Sequence, residues 1–289
     1  MSSDFIICKG YIPSFIEKRK LVFYHIPKCA GTSVCNVLSS LIDNHVRLLG
    51  PLTPNSGFSV NRPQFTSEDF FSSEKENVLN KSFIYGHFSI NLYNYFLNSL
   101  SITLIRNPVD RTFSHYNYQR QRKIIHPENS LKECFDEGYI LDNTITRQFS
   151  GNLHNNININ DYELALKNLR KKIDLIFDFQ DASSLINYII SIYDLPNVIF
   201  QKQRITKKNY LEENHENISI IKLFNKYDIK LFNKIKKENL FFSNTEKNNN
   251  RVKNKTLFWA QNDPTFGNSK IFFAKNADEI LLSLKKTKK

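Results

Sequence analysis

Hydrophobic runs and polar breaks alternate along the chain in strand–helix order. Leu21 to Ile26 is a near-continuous apolar run, the pattern of a parallel strand buried on both faces. It breaks at Pro27-Lys28-Cys29-Ala30-Gly31 and resumes with helical spacing at Val34, Val37, Leu38 and Leu41, which predicts a helix over Thr32–Ile42. Residues 43–80 carry Pro51, Pro54, Gly57, Pro63 and a polar SSEKEN stretch, and read as a long irregular surface excursion. A short strand, Ser82–Tyr85, ends in Gly86-His87, and Asn91–Leu97 reads as a helix. Ser101–Ile105 is a third buried strand, closed by Arg106-Asn107-Pro108. Asn107 suits a helix N-cap, Pro108 the first helical position and Asp110 the first turn, so a helix should run to about Arg120. Further on, the pattern predicts a helix at Asp161–Lys171, a strand at Ile173–Phe177 and a helix at Ala182–Ile192. Residues 218–241 read as two helices or one broken helix.

Strands alternating with helices predict an α/β layered fold with a mostly parallel central sheet. In such sheets ligands bind beyond the carboxyl ends of the strands. Three predicted strand ends deliver Lys28, His87 and Arg106 to that edge.

Composition narrows the picture. The 289 residues suffice for one α/β domain with insertions, and a formal net charge of +12 favours polyanionic partners. No apolar run approaches the roughly 20 residues of a membrane-spanning helix, and no signal-peptide layout is visible. The four cysteines (Cys8, Cys29, Cys35, Cys134) form no CxxC pair or zinc spacing, which suggests a reduced, cytoplasmic protein. Asn-rich stretches such as NNININ carry no regular repeat.

The loop after the first strand is the strongest chemical signal. A helix N-terminus offers free N–H groups and a positive dipole end. Backbone N–H groups of residues 30–33, the hydroxyls of Thr32 and Ser33, and Lys28 could wrap a terminal phosphate, with Ala30 and Gly31 allowing close backbone approach. It is not a Walker A motif, in which the lysine follows the glycines. In LIRNPVDRTFSHY, the Arg106 guanidinium and the Ser114 hydroxyl two helical turns along could converge on another phosphate. Arg111 reads as structural, pairing with Asp110 or a nearby loop. His25 reads as scaffold, and His45, His115, His126, His154 and His215 as structural or surface residues. Cys29 reads as a small loop residue whose thiol Lys28 and the helix end could activate.

The combination of HIPKCAGTS, GH and a strand ending in RNPVDRTFSHY resembles the sulfotransferases that use 3′-phosphoadenosine 5′-phosphosulfate (PAPS). It is most similar to the carbohydrate branch that includes the heparan-sulfate uronyl enzymes and bacterial relatives. The resemblance implies a P-loop NTPase-like layered fold over residues 21–245, with 1–20 as an N-terminal lead-in and 246–289 as a C-terminal extension and basic tail. It implies that Lys28, Ala30, Gly31, Thr32 and Ser33 hold the 5′-phosphosulfate, and that Arg106 and Ser114 hold the 3′-phosphate. His87 is implied as catalytic base and Lys28 as stabiliser of the leaving phosphate. Some glycan enzymes carry a second histidine before that glycine, where this chain has Tyr85. Tyr85 is thereby implied on the acceptor side, and DNTITRQFSGN resembles the family's N…TRxxxG element, which maps Arg147 toward the acceptor. The implied partners are the nucleotide donor and a hydroxyl acceptor, expected to be a glycan, with no nucleic acid. Because a sulfuryl group carries less charge than a phosphoryl group, no metal is required. Two other readings stay open: a P-loop kinase-like phosphotransferase, and a non-catalytic polyanion binder resting on the charge alone.

Overall fold

The computed structural model describes residues 5–8, 16–48, 75–201, 210–242, 257–262 and 269–274. In chain order the elements are β1 (Phe5–Cys8), β2 (Lys20–Tyr24), α1 (Gly31–Leu41), β3 (His45–Leu48), α2 (75–79), β4 (Phe83–Gly86), a 3-10 helix (Ile90–Phe96), β5 (Ser99–Ile105), α3 (Pro108–Gln121), α4 (Leu131–Asp136) and α5 (Thr144–Ser150). They continue with α6 (Ile159–Lys172), β6 (Leu175–Asp178), a 3-10 turn (Phe179–Asp181), α7 (Ala182–Ile192), β7 (Val198–Gln201), α8 (His215–Phe224), α9 (Lys226–Lys237), β8 (Leu257–Asn262) and β9 (Ser269–Ala274).

The apolar run after Lys20 is the middle strand of a five-stranded sheet ordered β3-β4-β2-β5-β6. Every pairing in it is parallel. β2 and β5 are buried along nearly their whole length, as a strand covered by helices on both faces must be. On one face Tyr85 and Phe177 meet α1 and α7. On the other Tyr24 packs on Phe149 of α5 and on Phe88. This is the α/β layered architecture that the strand–helix alternation predicts.

The long excursion predicted over 43–80 needs correction at both ends. His45–Leu48 is the edge strand β3, and residues 75–79 form α2. Four residues with a half-exposed face give too little alternation to announce a strand. The prolines and Gly57 of that stretch lie outside the described residues. Asn91–Leu97 is 3-10 rather than α-helical, since Ile90, Tyr93 and Phe96 recur every three residues and Ser89 Oγ accepts the Asn91 N–H at 3.2 Å. Residues 218–241 form two helices, α8 and α9. The break is Asn225, fully buried, whose amide donates to Ile221 O and accepts from Asn143 N at 3.1 Å each. The lead-in and the tail contribute strands of their own: β1, β8 and β9 join β7 in a second sheet ordered β1-β7-β8-β9.

Gly86 closes β4 just before His87 with φ 151°, and a Cβ there would lie 1.9 Å from Leu48 O of the neighbouring strand. Backbone cannot yield as a flexible side chain does. Gly86→Ala should therefore cost about 2 kcal/mol or more and lower Tm by at least ~4 °C. An unchanged melting curve by circular dichroism would refute this packing of β3 on β4.

Candidate functional site

The chain leaves β2 into a loop with two non-glycine residues in the left-handed region, Lys28 at φ 69° and Ala30 at φ 53°. Neither side chain favours that conformation, and each such residue costs on the order of 1 kcal/mol or more. Surrounding structure enforces it. Cys29 is fully buried, and its N–H bonds Ile26 O at 3.2 Å. Gly31 lies so close to the His25 ring that a Cβ would sit 1.8 Å from it. The strained turn opens α1 with no side-chain cap. Ser33 N–H turns back to Ala30 O at 3.0 Å, leaving the Gly31 and Thr32 N–H groups without an acceptor among the described contacts. The result is a concave group of amides at the positive end of an 11-residue helix.

Arg106 leaves the end of β5 beside this loop. Its Nη1 reaches Lys28 O at 3.5 Å, and its buried Nε has no hydrogen-bond partner. α3 then starts as its sequence predicts, with Asn107 Oδ1 accepting the Val109 N–H at 2.9 Å and Pro108 in the first turn. Ser114 lies on α3 one turn before Tyr118, over whose ring Lys28 Nζ rests at 4.0 Å. Loop lysine, strand-end arginine and the helix that carries Ser114 thus meet at one corner of the fold.

His87 follows β4, and its Nδ1 lies 3.0 Å from His25 O. A carbonyl only accepts, so Nδ1 carries the proton and Nε2 is the basic nitrogen. The two imidazoles stack at 4.4 Å, 29° apart. His25 O also accepts from Gln148 Nε2 at 3.4 Å, and the same amide donates to Phe88 O at 3.0 Å. His25 is 6% exposed and is scaffold for both halves of the site: its ring abuts Gly31, and its carbonyl orients His87.

Three sequence readings change here. His115, read as structural or surface, is not a surface residue: it lies within electrostatic reach of Arg111, Lys28 and His87. Burial first, then the positive charges of Arg111, Lys28 and His87, push its pKa down to about 3. One imidazole therefore senses both the loop lysine and the histidine after β4. Its Nδ1 is buried without a partner, and Nε2 meets the Gln119 amide at 3.3 Å. Nothing in the FSHY string distinguishes His115 from a surface helix residue; only the close approach of α3 to the loop does. Arg111 does not pair with Asp110. It is fully buried and is drawn electrostatically to Asp228, whose carboxylate accepts the Ile145 and Thr146 N–H groups at 3.0 and 2.7 Å. Cys29 is not an activated thiol, because burial raises its pKa to about 11 despite the opposing pull of Arg111 and Arg106.

Tyr85 and Arg147 make their described contacts with other residues. Tyr85 is 8% exposed, stacked on Phe83 under α1, and burial raises its pKa. Arg147 is buried, its Nη2 2.6 Å from Asp142 Oδ1 and its Nη1 2.7 Å from Asn155 O. The other residues of its motif work as locks. Asn143 holds Phe224 O and the Asp228 N–H, and Gly151 is the left-handed C-cap of α5.

Comparison with known proteins gives two findings. The profile of the sulfotransferase family matches residues 15–239, from ahead of β2 to past α9. A crystal structure of a sulfotransferase from Alicyclobacillus acidocaldarius aligns with a TM-score of 0.43 and 12% identity, covering 76% of this chain and 96% of that one. No curated protein matches the chain's sequence.

The suppressed protonation of His115 has a measurable pH signature. The unfolded chain binds a proton on His115 below about pH 6.5, while the folded chain refuses it until about 3. Stability from this group is therefore present above the unfolded value and is lost as pH falls. Between pH 7 and 5 the loss should be about 1–2 kcal/mol. His115→Gln removes it, so the Tm of the variant should fall less over that range than that of the wild type. Parallel Tm–pH curves would contradict the placement.

Proposed function

The chain belongs to the sulfotransferase family, and from that premise we propose that it moves the sulfuryl group of PAPS onto an acceptor hydroxyl. The family generally uses that donor. The observation that carries the reading is the junction of Arg106 and Lys28 across β5 and β2, where Nη1 of one meets the carbonyl of the other at 3.5 Å. A loop cation and a strand-end cation side by side suit a ligand with two phosphates. The Gly31 and Thr32 N–H groups, which have no acceptor among the described contacts, and the unpartnered Arg106 Nε fit such a ligand as well. Lys28, Ala30, Gly31, Thr32 and Ser33 would hold the 5′-phosphosulfate, and Arg106 with Ser114 the 3′-phosphate.

When bound, PAPS supplies an activated S–O bond whose leaving group is a phosphate. The protein's share is positioning and charge stabilisation. Lys28 neutralises the charge that develops on the leaving oxygen, a contribution of about 2.7–4 kcal/mol for one such donor. His87 takes the acceptor proton on Nε2 while its Nδ1–H stays on His25 O, so no change of tautomer is needed. The imidazolium formed is then stacked on the His25 ring. No step calls on a metal.

We assign the acceptor to the carbohydrate class. The +12 charge and the cation–aromatic pairs of Tyr118 with Arg122 and of Tyr93 with Lys172 suit an acidic glycan.

The test combines binding with turnover. 3′-Phosphoadenosine 5′-phosphate should raise the Tm of the wild type, and Arg106→Ala should abolish the rise. With PAPS and a panel of glycan acceptors, Lys28→Ala should lower kcat by about 10²–10³. His87→Gln should remove at least about a hundredfold of turnover yet keep the thermal shift. No shift at millimolar nucleotide would sink the reading, and full activity in His87→Gln would remove the base from it.

A further inference from the structure

Both cations of the clamp rest on aromatic rings from other elements. Arg106 Cζ lies 4.4 Å from the ring centroid of Phe179. Phe179 opens the 3-10 turn directly after β6, and Ile105 of β5 is in register with Asp178, so Arg106 and Phe179 leave neighbouring strands at the same level. Asp178 Oδ1 accepts the Gln180 N–H at 3.0 Å and fixes the turn that presents the ring. Lys28 Nζ lies 4.0 Å from the Tyr118 ring, one helical turn beyond Ser114. Tyr118 is tethered in turn, since Arg122 Nη1 donates to its hydroxyl at 2.8 Å.

An aromatic face attracts a cation through its quadrupole without neutralising it. A carboxylate would hold the same side chain but would cancel its charge and occupy its N–H groups. A guanidinium lying over a ring keeps its in-plane donors directed past the ring edge. That accounts for an Arg106 Nε that is buried and unpartnered beside a strained anion loop. The two seats are separate: Phe179 follows β6, and Tyr118 belongs to α3.

We propose that Phe179 and Tyr118 are positioning residues of the nucleotide clamp, Phe179 setting Arg106 for the 3′-phosphate and Tyr118 setting Lys28 for the 5′ side. This rests on the PAPS reading above. Nucleotide recognition is then built from two halves that separate by mutation.

The experiment is calorimetric titration of the full chain with 3′-phosphoadenosine 5′-phosphate, adenosine 5′-monophosphate and adenosine 3′-monophosphate. Phe179→Leu should cut the preference for the bisphosphate over the 5′-monophosphate by about threefold to tenfold, leaving 5′-monophosphate binding unchanged. Tyr118→Leu should cut the preference over the 3′-monophosphate by a similar factor and leave 3′-monophosphate binding unchanged. Phe179→Tyr and Tyr118→Phe, which keep the rings, should restore both. Equal weakening of all three nucleotides, or no change, would overturn the proposal and leave the PAPS reading standing. A wild type that binds the bisphosphate no better than either monophosphate would instead remove the PAPS reading, and this proposal with it.

Discussion

A side chain at position 31 would collide with the His25 ring, and most of the site depends on that contact. Only glycine lets α1 start where it does, with the Gly31 and Thr32 N–H groups lacking an acceptor among the described contacts. The His25 ring that occupies the space stacks on His87, and the His25 carbonyl orients His87 through Nδ1. One residue at the end of the central strand therefore sets both the amide cradle and the candidate base. Gln148 of α5 secures the same carbonyl and ties it to Phe88 after β4.

Around that keystone the fold gathers positive charge where burial makes it expensive. Arg111 is fully buried, Arg106 is partly so, and Lys28 crosses to α3. Mutual repulsion is offset for Arg106 and Lys28 by a carbonyl and aromatic faces, which leave the charge usable, and for Arg111 by the carboxylate of Asp228 on α9, which also accepts two backbone amides of α5. His115 stays neutral within this field because burial and the nearby charges of Arg111 and Lys28 oppose its protonation. A concentration of positive charge of this kind is favourable for an anion.

The sequence was most legible where local chemistry decides the structure. The apolar run of β2 and the Asn107-Pro108-Asp110 start of α3 are read from neighbours in the chain, and both stand in the fold. Elements that depend on distant partners were not legible. β3 is four residues long and needs β4 beside it, and α5 owes its N-terminus to Asp228, over 80 residues away. The motif residues behave alike. Lys28 and Arg106 stand side by side after β2 and β5, and Lys28 reaches α3, the helix that carries Ser114, as their strand and helix positions imply. Tyr85 and Arg147, mapped through looser likeness, are engaged in packing and an ion pair. The surroundings of His115 were not legible because they come from the approach of α3 to the loop, which no spacing within the helix encodes.

The central claim is that this corner of the fold holds a nucleotide carrying phosphates at both the 3′ and 5′ positions. The most direct measurement is equilibrium competition between 3′-phosphoadenosine 5′-phosphate and ATP, in chelator and again with Mg²⁺. The account predicts saturable binding of the bisphosphate at one site per chain, unaffected by chelator, with ATP a weak competitor under both conditions. Metal-dependent binding of ATP that displaces the bisphosphate would contradict it.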